Sequence, residues 1–255
     1  MIAALAVDSV SVAFGGVRAV DALSFAVAPG RIKGIIGPNG AGKTTLFNAI
    51  SGVTAPQAGR VLLDDRDITA LRPHRRAALG VSRTFQNLQL IPRMSVLENV
   101  MLGAHATLEA GWGAGLLGLA RREEARAEAV AREQLARLGL DTQASRLAGE
   151  LGFAEAKLLE IARALAAAPK VLLLDEPIAG VPPADQDRIA DVIRGVNGAG
   201  MTILLVEHNM RVVMNLCHEI LVLHHGARLA EGTPEQVARD PQVVAAYLGG
   251  AQGHA

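Results

Sequence analysis

Cysteine is nearly missing from this chain of 255 residues: Cys217 is the only one. No internal disulfide can form, which fits a reducing compartment. Cys217 follows the apolar residues Met214 and Leu216, where a lone thiol reads as a small core residue rather than a nucleophile. Lysine is scarce as well, confined to Lys33, Lys43, Lys157 and Lys170, so a lysine in a special place carries information. Net charge is absent, with 25 basic and 25 acidic side chains. Without a basic excess there is no broad field to neutralise phosphates, and no nucleic-acid partner is expected. Long apolar runs are also lacking. Although hydrophobic residues make up 50% of the chain, none of the runs reaches the roughly 18 apolar residues that a membrane-spanning helix needs. The opening residues have no basic stretch and soon meet Asp8, so no secretory signal is expected and the chain is expected to be cytosolic.

What is present is an α/β pattern with an interruption. Val10, Val12 and Phe14 alternate, as do Leu23, Phe25 and Val27 after the Gly15–Gly16 turn, which predicts an N-terminal β portion. Ile32, Ile35 and Ile36 predict a short buried strand, residues 44–50 a helix, and residues 61–63 another strand. From about residue 87 helical periodicity takes over. A Gly-rich patch around Trp112 precedes a charged helix over 121–138, with Glu128/Arg132 and Glu133/Arg137 spaced for i,i+4 pairs and Val130, Leu135 and Leu138 on its apolar side. Helices are then predicted over 158–168, 185–196 and 211–216, and strands over 171–174, 202–206, 220–223 and 228–231, with a terminal helix ending near Leu248. Strands alternating with helices imply a mainly parallel sheet. The expected organisation is an α/β core from 1–86 and 158–255, with a helical subdomain over 87–157 inserted into it.

The segment Gly37-Pro38-Asn39-Gly40-Ala41-Gly42-Lys43-Thr44 matches the phosphate-binding loop G-x-x-x-x-G-K-[ST], and it lies between a predicted strand and a predicted helix, as that loop must. Glycines let backbone N–H groups turn inward around phosphates, and the helix directs its positive end at them. Lys43 is expected to reach the β- and γ-phosphates and the Thr44 hydroxyl to ligate Mg²⁺, with Thr45 beside it in the same turn. The apolar run 171–174 ends in Asp175-Glu176. A carboxylate at the carboxyl edge of the sheet can hold the metal beside the loop, while its neighbour activates the attacking water. His208, after the strand 203–206 and Glu207, is placed to sense the γ-phosphate.

With these pieces in order, the chain resembles an ABC transporter nucleotide-binding domain over nearly its full length. The resemblance implies a P-loop NTPase fold of ABC type, ATP and Mg²⁺ as ligands, and ATP hydrolysis to ADP and phosphate. It makes Gln86, in Thr84-Phe85-Gln86, the Q-loop glutamine that touches the Mg²⁺/water site and couples to the membrane subunit. Phe14 takes the place of the aromatic that stacks on adenine; alone it would be read as a core residue. Asp175 and Glu176 correspond to the Walker B pair, with Glu176 as general base, His208 to the switch histidine, and Ala179-Gly180-Val181-Pro182 to the D-loop. The stretches FGGVRAVD, VSRTFQNLQLIPRMSVLENVMLGAH, LLEIARAL, LLLDEPIAG, VEHNM and AYLGG look closest to the ATPases of branched-chain, hydrophobic amino-acid importers.

One segment departs from the family. The signature LSGGQ, which contacts the γ-phosphate held by the other subunit, maps to Leu151-Gly152-Phe153-Ala154-Glu155. Gly152 has no hydroxyl, Ala154 replaces a glycine of close approach, and Glu155 puts a carboxylate where an amide is usual. The expectation is a weaker ATP-driven dimer, with the Ala154 methyl holding subunits apart and Glu155 repelling nucleotide. Pro182 stands where an Asp is commoner.

The implied partners are two transmembrane permease subunits, a second ATPase subunit (identical or a paralogue) and, indirectly, a periplasmic substrate-binding protein, with the chain peripheral on the cytoplasmic face of the plasma membrane. Two alternatives stay open: the ATPase of a lipid or lipopolysaccharide exporter, and a soluble ABC ATPase outside transport. The altered signature also raises an inactive structural subunit, which the intact Glu176 and His208 oppose.

Overall fold

The structure, a computed structural model, describes residues 3–105 and 119–249. The Gly/Trp patch of the sequence lies outside them. Among the described residues the strands form two sheets. β1 (Leu5–Phe14), β2 (Val17–Val27), β4 (Ala58–Leu63) and the short β5 (Arg66–Asp67) make an antiparallel sheet in the order β2-β1-β4-β5. β3 (Ile32–Ile36), β6 (Val81–Arg83), β7 (Val171–Asp175), β8 (Thr202–Val206), β9 (Glu219–His224) and β10 (Ala227–Gly232) make a second sheet in the order β10-β9-β3-β8-β7-β6. It is parallel throughout except for the β9–β10 hairpin at its edge.

The central strands read IKGII, VLLLD and TILLV, and every residue in them is buried. Continuous apolar runs are what a parallel sheet covered on both faces requires. The two-residue period sorts their side chains. Ile36, Leu172, Leu174, Ile203 and Leu205 join one core, against α3 (Val96–His105), α5 (Phe153–Ala166), α6 (Pro183–Gly198) and α7 (Met210–Leu216). Ile35, Leu173, Leu204 and Val206 join the other, with Leu46, Phe47 and Ile50 of α1 (Lys43–Ser51) and the inner face of the antiparallel sheet. Helix α1 is thus clamped between the sheets, which fixes the phosphate loop at its start.

Several elements differ from expectation. α2 (Pro73–Leu79) and β6 were not foreseen; β6 is only three residues long, too short to show periodicity. α5 begins at Phe153, five residues ahead of the expected start, so the expected 157/158 boundary falls inside a helix. The terminal helix is two, α8 (Pro234–Arg239) and α9 (Pro241–Gly249), because Pro241 cannot continue a hydrogen-bonded turn. The charged helix α4 spans Leu119–Arg137 and buries Ala127, Ala131 and Leu135. Glu128 and Arg132 pair at 2.7 Å as expected, but Arg137 donates to the Val196 carbonyl instead of pairing with Glu133. Cys217 is buried, and burial pushes its thiol up to about 12, as befits a core residue. Phe14 is not core: it is 55% exposed at the end of β1.

Candidate nucleotide site

The sheet brings its carboxyl ends to one edge, where open α/β sheets bind ligands. The phosphate loop leaves β3, and its glycines are obligatory where the backbone turns back. Gly42, with φ +101°, is the N-terminal cap of α1, and a Cβ there would meet the Ala19 carbonyl oxygen at 2.1 Å. At Gly37 a Cβ would meet the Leu223 carbonyl oxygen at 2.3 Å. The Lys43 ammonium donates to the carbonyls of Gly37 at 2.7 Å and Pro38 at 3.0 Å. Burial holds Lys43 below the ordinary lysine range, against the opposing pull of Glu176 and then Asp175. That opposition places both acids within electrostatic reach of the ammonium.

A cavity of about 380 Å³ opens here, lined by Asn39, Gly40, Ala41, Gly42, Lys43, Thr44, Thr45 and Ala19, and across from them by Gln86, Glu176 and His208. Sequence separations of more than a hundred residues close into one site. Glu176 sits at φ +50°, a left-handed backbone unusual for a side chain with a Cβ, on the turn leaving β7. Its carboxylate is held at both oxygens: Oε1 lies 2.5 Å from His208 Nε2, and Oε2 accepts from Gln86 Nε2 at 3.0 Å. Asp175, only 3% exposed, does not itself line this cavity; it pairs through Oδ2 with Arg83 Nη2 at 2.7 Å.

The loop carrying Gln86 is strapped to α5 by three side chains along one face. Lys157 Nζ donates to the Gln86 carbonyl at 3.1 Å, Glu160 Oε1 accepts the Gln89 N–H at 2.8 Å, and Arg163 Nη1 donates to the Gln89 carbonyl at 2.5 Å. Burial raises the Glu160 carboxyl, partly countered by the Gln89 N–H. Beside this loop an apolar groove of about 370 Å³ runs between Val53, His74, Phe85, Leu102 and Arg163.

Phe14 and the signature segment do not line the cavity. Leu151 packs against the helical core, and Phe153 is 46% exposed, its ring lying 3.3 Å from where a Gly180 Cβ would stand. Ala154 is 8% exposed and belongs to the hydrophobic core of the chain, so its methyl packs inward and is not the outward wedge that the sequence suggested. Glu155 does not reach toward the cavity either. Its Oε2 accepts the Gly152 N–H at 3.0 Å and its Oε1 accepts from Gln143 Nε2 at 2.6 Å.

Two residues with no role in the sequence reading emerge. Buried Glu207 accepts the N–H groups of Ile178, His208 and Asn209, pinning the turns after β7 and β8; burial raises its carboxyl. Arg83 was hidden because β6 was hidden; its only signal was a position three residues before Gln86.

A model of the ABC transporter family matches residues 20–179. The chain belongs to the ABC transporter family. As such it is an ATP-binding, ATP-hydrolysing cassette. A second model, for the branched-chain amino acid ATP-binding cassette transporter, matches residues 227–252 of the cassette. It is 40% identical over 248 residues to the high-affinity branched-chain amino acid transport ATP-binding protein LivG of Escherichia coli, covering 96% of this chain and 97% of the relative. It is 37% identical over 227 residues to the lipopolysaccharide export system ATP-binding protein LptB of Acidithiobacillus ferridurans, covering 89% of each. A crystal structure of an ABC transporter cassette in its ADP conformation superposes with a TM-score of 0.86 at 35% identity, covering 98% of this chain and 100% of that one.

Proposed function

We propose that this cassette is the motor subunit of an importer for branched-chain or other hydrophobic amino acids, paired with a second ATPase subunit beneath two transmembrane permease subunits on the cytoplasmic face of the membrane, with a periplasmic substrate-binding protein as the indirect partner. The observation that carries the ATPase role is the Glu176 carboxylate, gripped by Gln86 and His208 across the cavity from Lys43. The cargo rests on the match at 227–252 and the likeness to LivG, with the lipid-exporter reading kept open by the lesser likeness to LptB.

The residues fit a metal-bound triphosphate. Mg²⁺ takes one or two protein oxygens and leaves the rest to water and phosphates. Thr44 lines the cavity, and Asp175 keeps Oδ1 free of hydrogen bonds among the described residues while Oδ2 is tied to Arg83. When bound, the metal neutralises charge on the phosphates. Lys43 exchanges its two loop carbonyls for phosphate oxygens, and the N–H groups of residues 39–44 supply the cradle. Glu176 accepts a proton from the attacking water, Gln86 and His208 hold that carboxylate in line, and the protein's task is positioning and charge stabilisation. Phe14, exposed at the end of β1, stacks on the base. The signature residues 151–155 serve the nucleotide of the partner cassette. The helical unit of 87–157, continuing into α5, carries them.

Gln86 and its strap to α5 link hydrolysis to transport. The apolar groove continues from this loop through Phe85 and Arg163, and a permease segment seated there would move Gln86.

Glu176→Gln should bind ATP within about twofold of the native protein and lose at least about 100-fold in turnover, the scale of a missing general base. Native turnover in that variant overturns the assignment. Reconstituted with its permeases in vesicles, the cassette should drive leucine or valine uptake; ATP-driven lipid release without uptake would transfer it to the exporters.

A further inference from the structure

We propose that Arg83 is a positioning residue for the metal-holding pair, a single guanidinium that sets the separation of Thr44 and Asp175. The inference rests on the nucleotide reading above and concerns the geometry of that same site.

The guanidinium reaches both elements that present the two protein oxygens. Nη2 holds Asp175 Oδ2 at 2.7 Å, at the end of β7. Nη1 donates to Asn48 Oδ1 at 2.6 Å and to Ser51 Oγ at 3.2 Å, both on α1. Thr44, Asn48 and Ser51 are spaced i, i+4, i+7, so Arg83 grips the same helix face that carries Thr44. The fork cannot drift. The Phe47 and Phe85 rings lie 5.5 Å and 5.2 Å from its central carbon, and the side chain is 7% exposed against 3% for Asp175. Strand β6 adds its own register: Arg83 lies beside Leu173, and Thr84 Oγ1 accepts the Asp175 N–H at 3.2 Å.

Fold stability alone explains this poorly. The Arg83 Nε is buried with no hydrogen-bond partner, an unfavourable state for a donor, and buried ion pairs are often no better than apolar packing. What the arrangement does supply is orientation: by occupying Oδ2, Arg83 leaves Oδ1 as the Asp175 atom for the metal, at a distance from Thr44 fixed through α1. Carboxylates that ligate metals depend on such partners.

The test uses the full-length protein and a fluorescent ATP analogue, with affinity measured in EDTA and across a Mg²⁺ titration. Arg83→Lys keeps the charge but cannot span Asp175, Asn48 and Ser51 together. It should raise the half-saturating Mg²⁺ concentration by about tenfold or more while affinity in EDTA stays within about twofold, matching the cost of losing a ligand's hydrogen-bond partner. Asn48→Ala, which leaves the ion pair intact, should shift the Mg²⁺ requirement in the same direction by a smaller factor. If the native protein responds to Mg²⁺ and both variants respond identically, Arg83 has no such role. Equal weakening in EDTA and in Mg²⁺ would mark it as a support of the fold and overturn the proposal too. A native protein whose nucleotide affinity ignored Mg²⁺ would instead remove the reading on which the proposal stands.

Discussion

Glu155 turns back on its own helix: its Oε2 accepts the Gly152 N–H at 3.0 Å, one half of a capping box whose other half a glycine cannot return. The carboxylate is lowered from the ordinary glutamate value, chiefly because Gln143 donates to it, with the Gly152 N–H adding to that against the opposing effect of burial. It therefore stays anionic and covers one of the amides that a signature helix would turn toward phosphate. Glu155→Gln keeps an acceptor and removes the charge. The ATP-bound pair of cassettes should tighten by about 0.3–1 kcal/mol at low salt, the scale of a helix-end charge, and the gain should shrink as salt screens it. Sedimentation with ATP in a Glu176→Gln background would measure it; an unchanged pair would show that Glu155 does not oppose the nucleotide.

The same contact has a pH signature. A carboxyl held below its unfolded value stabilises the native state above about pH 4.3, the free glutamate value, and loses that contribution as pH falls through the lowered folded value. Glu155→Ala should cost about 1 kcal/mol at pH 7, the net worth of a hydrogen bond, and less at about pH 3, below the free glutamate value. Urea midpoints of native and variant protein at both pH values test this, and an equal gap at both would reject the ionised cap.

Ala154 packs into the helical core at 8% exposure. Ala154→Gly should therefore lower stability by about 1 kcal/mol through lost helix propensity, without speeding hydrolysis. A faster ATPase with unchanged melting would restore the idea of a wedge between cassettes.

At Gly42, backbone and space agree. Its φ of +101° and the 2.1 Å approach of a Cβ to the Ala19 carbonyl leave no room for a side chain. Gly42→Ala should abolish measurable ATP binding while the parallel sheet survives, seen as retained far-ultraviolet circular dichroism. Native ATP affinity in that variant would contradict the loop geometry.

Cys217, 7% exposed with its thiol pushed up to about 12 by burial, should resist iodoacetamide in the native protein and react stoichiometrically in denaturant. Rapid native labelling would mean that the α7 end opens far more readily than its packing indicates.

The apolar strands, the phosphate loop, the Asp175–Glu176 pair and His208 were legible in order because local rules govern them. An all-apolar run of five residues that ends in a carboxylate, or a glycine loop closed by Lys-Thr, has few other stable uses. The family and its importer branch were legible for the same reason, in stretches such as LLLDEPIAG. Tertiary structure alone decided what those residues touch. β6 has three residues and no period, yet its register beside β7 delivers Arg83 to Asp175 and, just beyond it, Gln86 to Glu176. That Glu155 caps its own helix and Ala154 is a core methyl could not be read from the sequence, because the direction of a side chain at a helix start depends on where the helix begins. That boundary, Phe153 rather than residue 158, is set by packing between distant elements, which no single stretch of sequence contains.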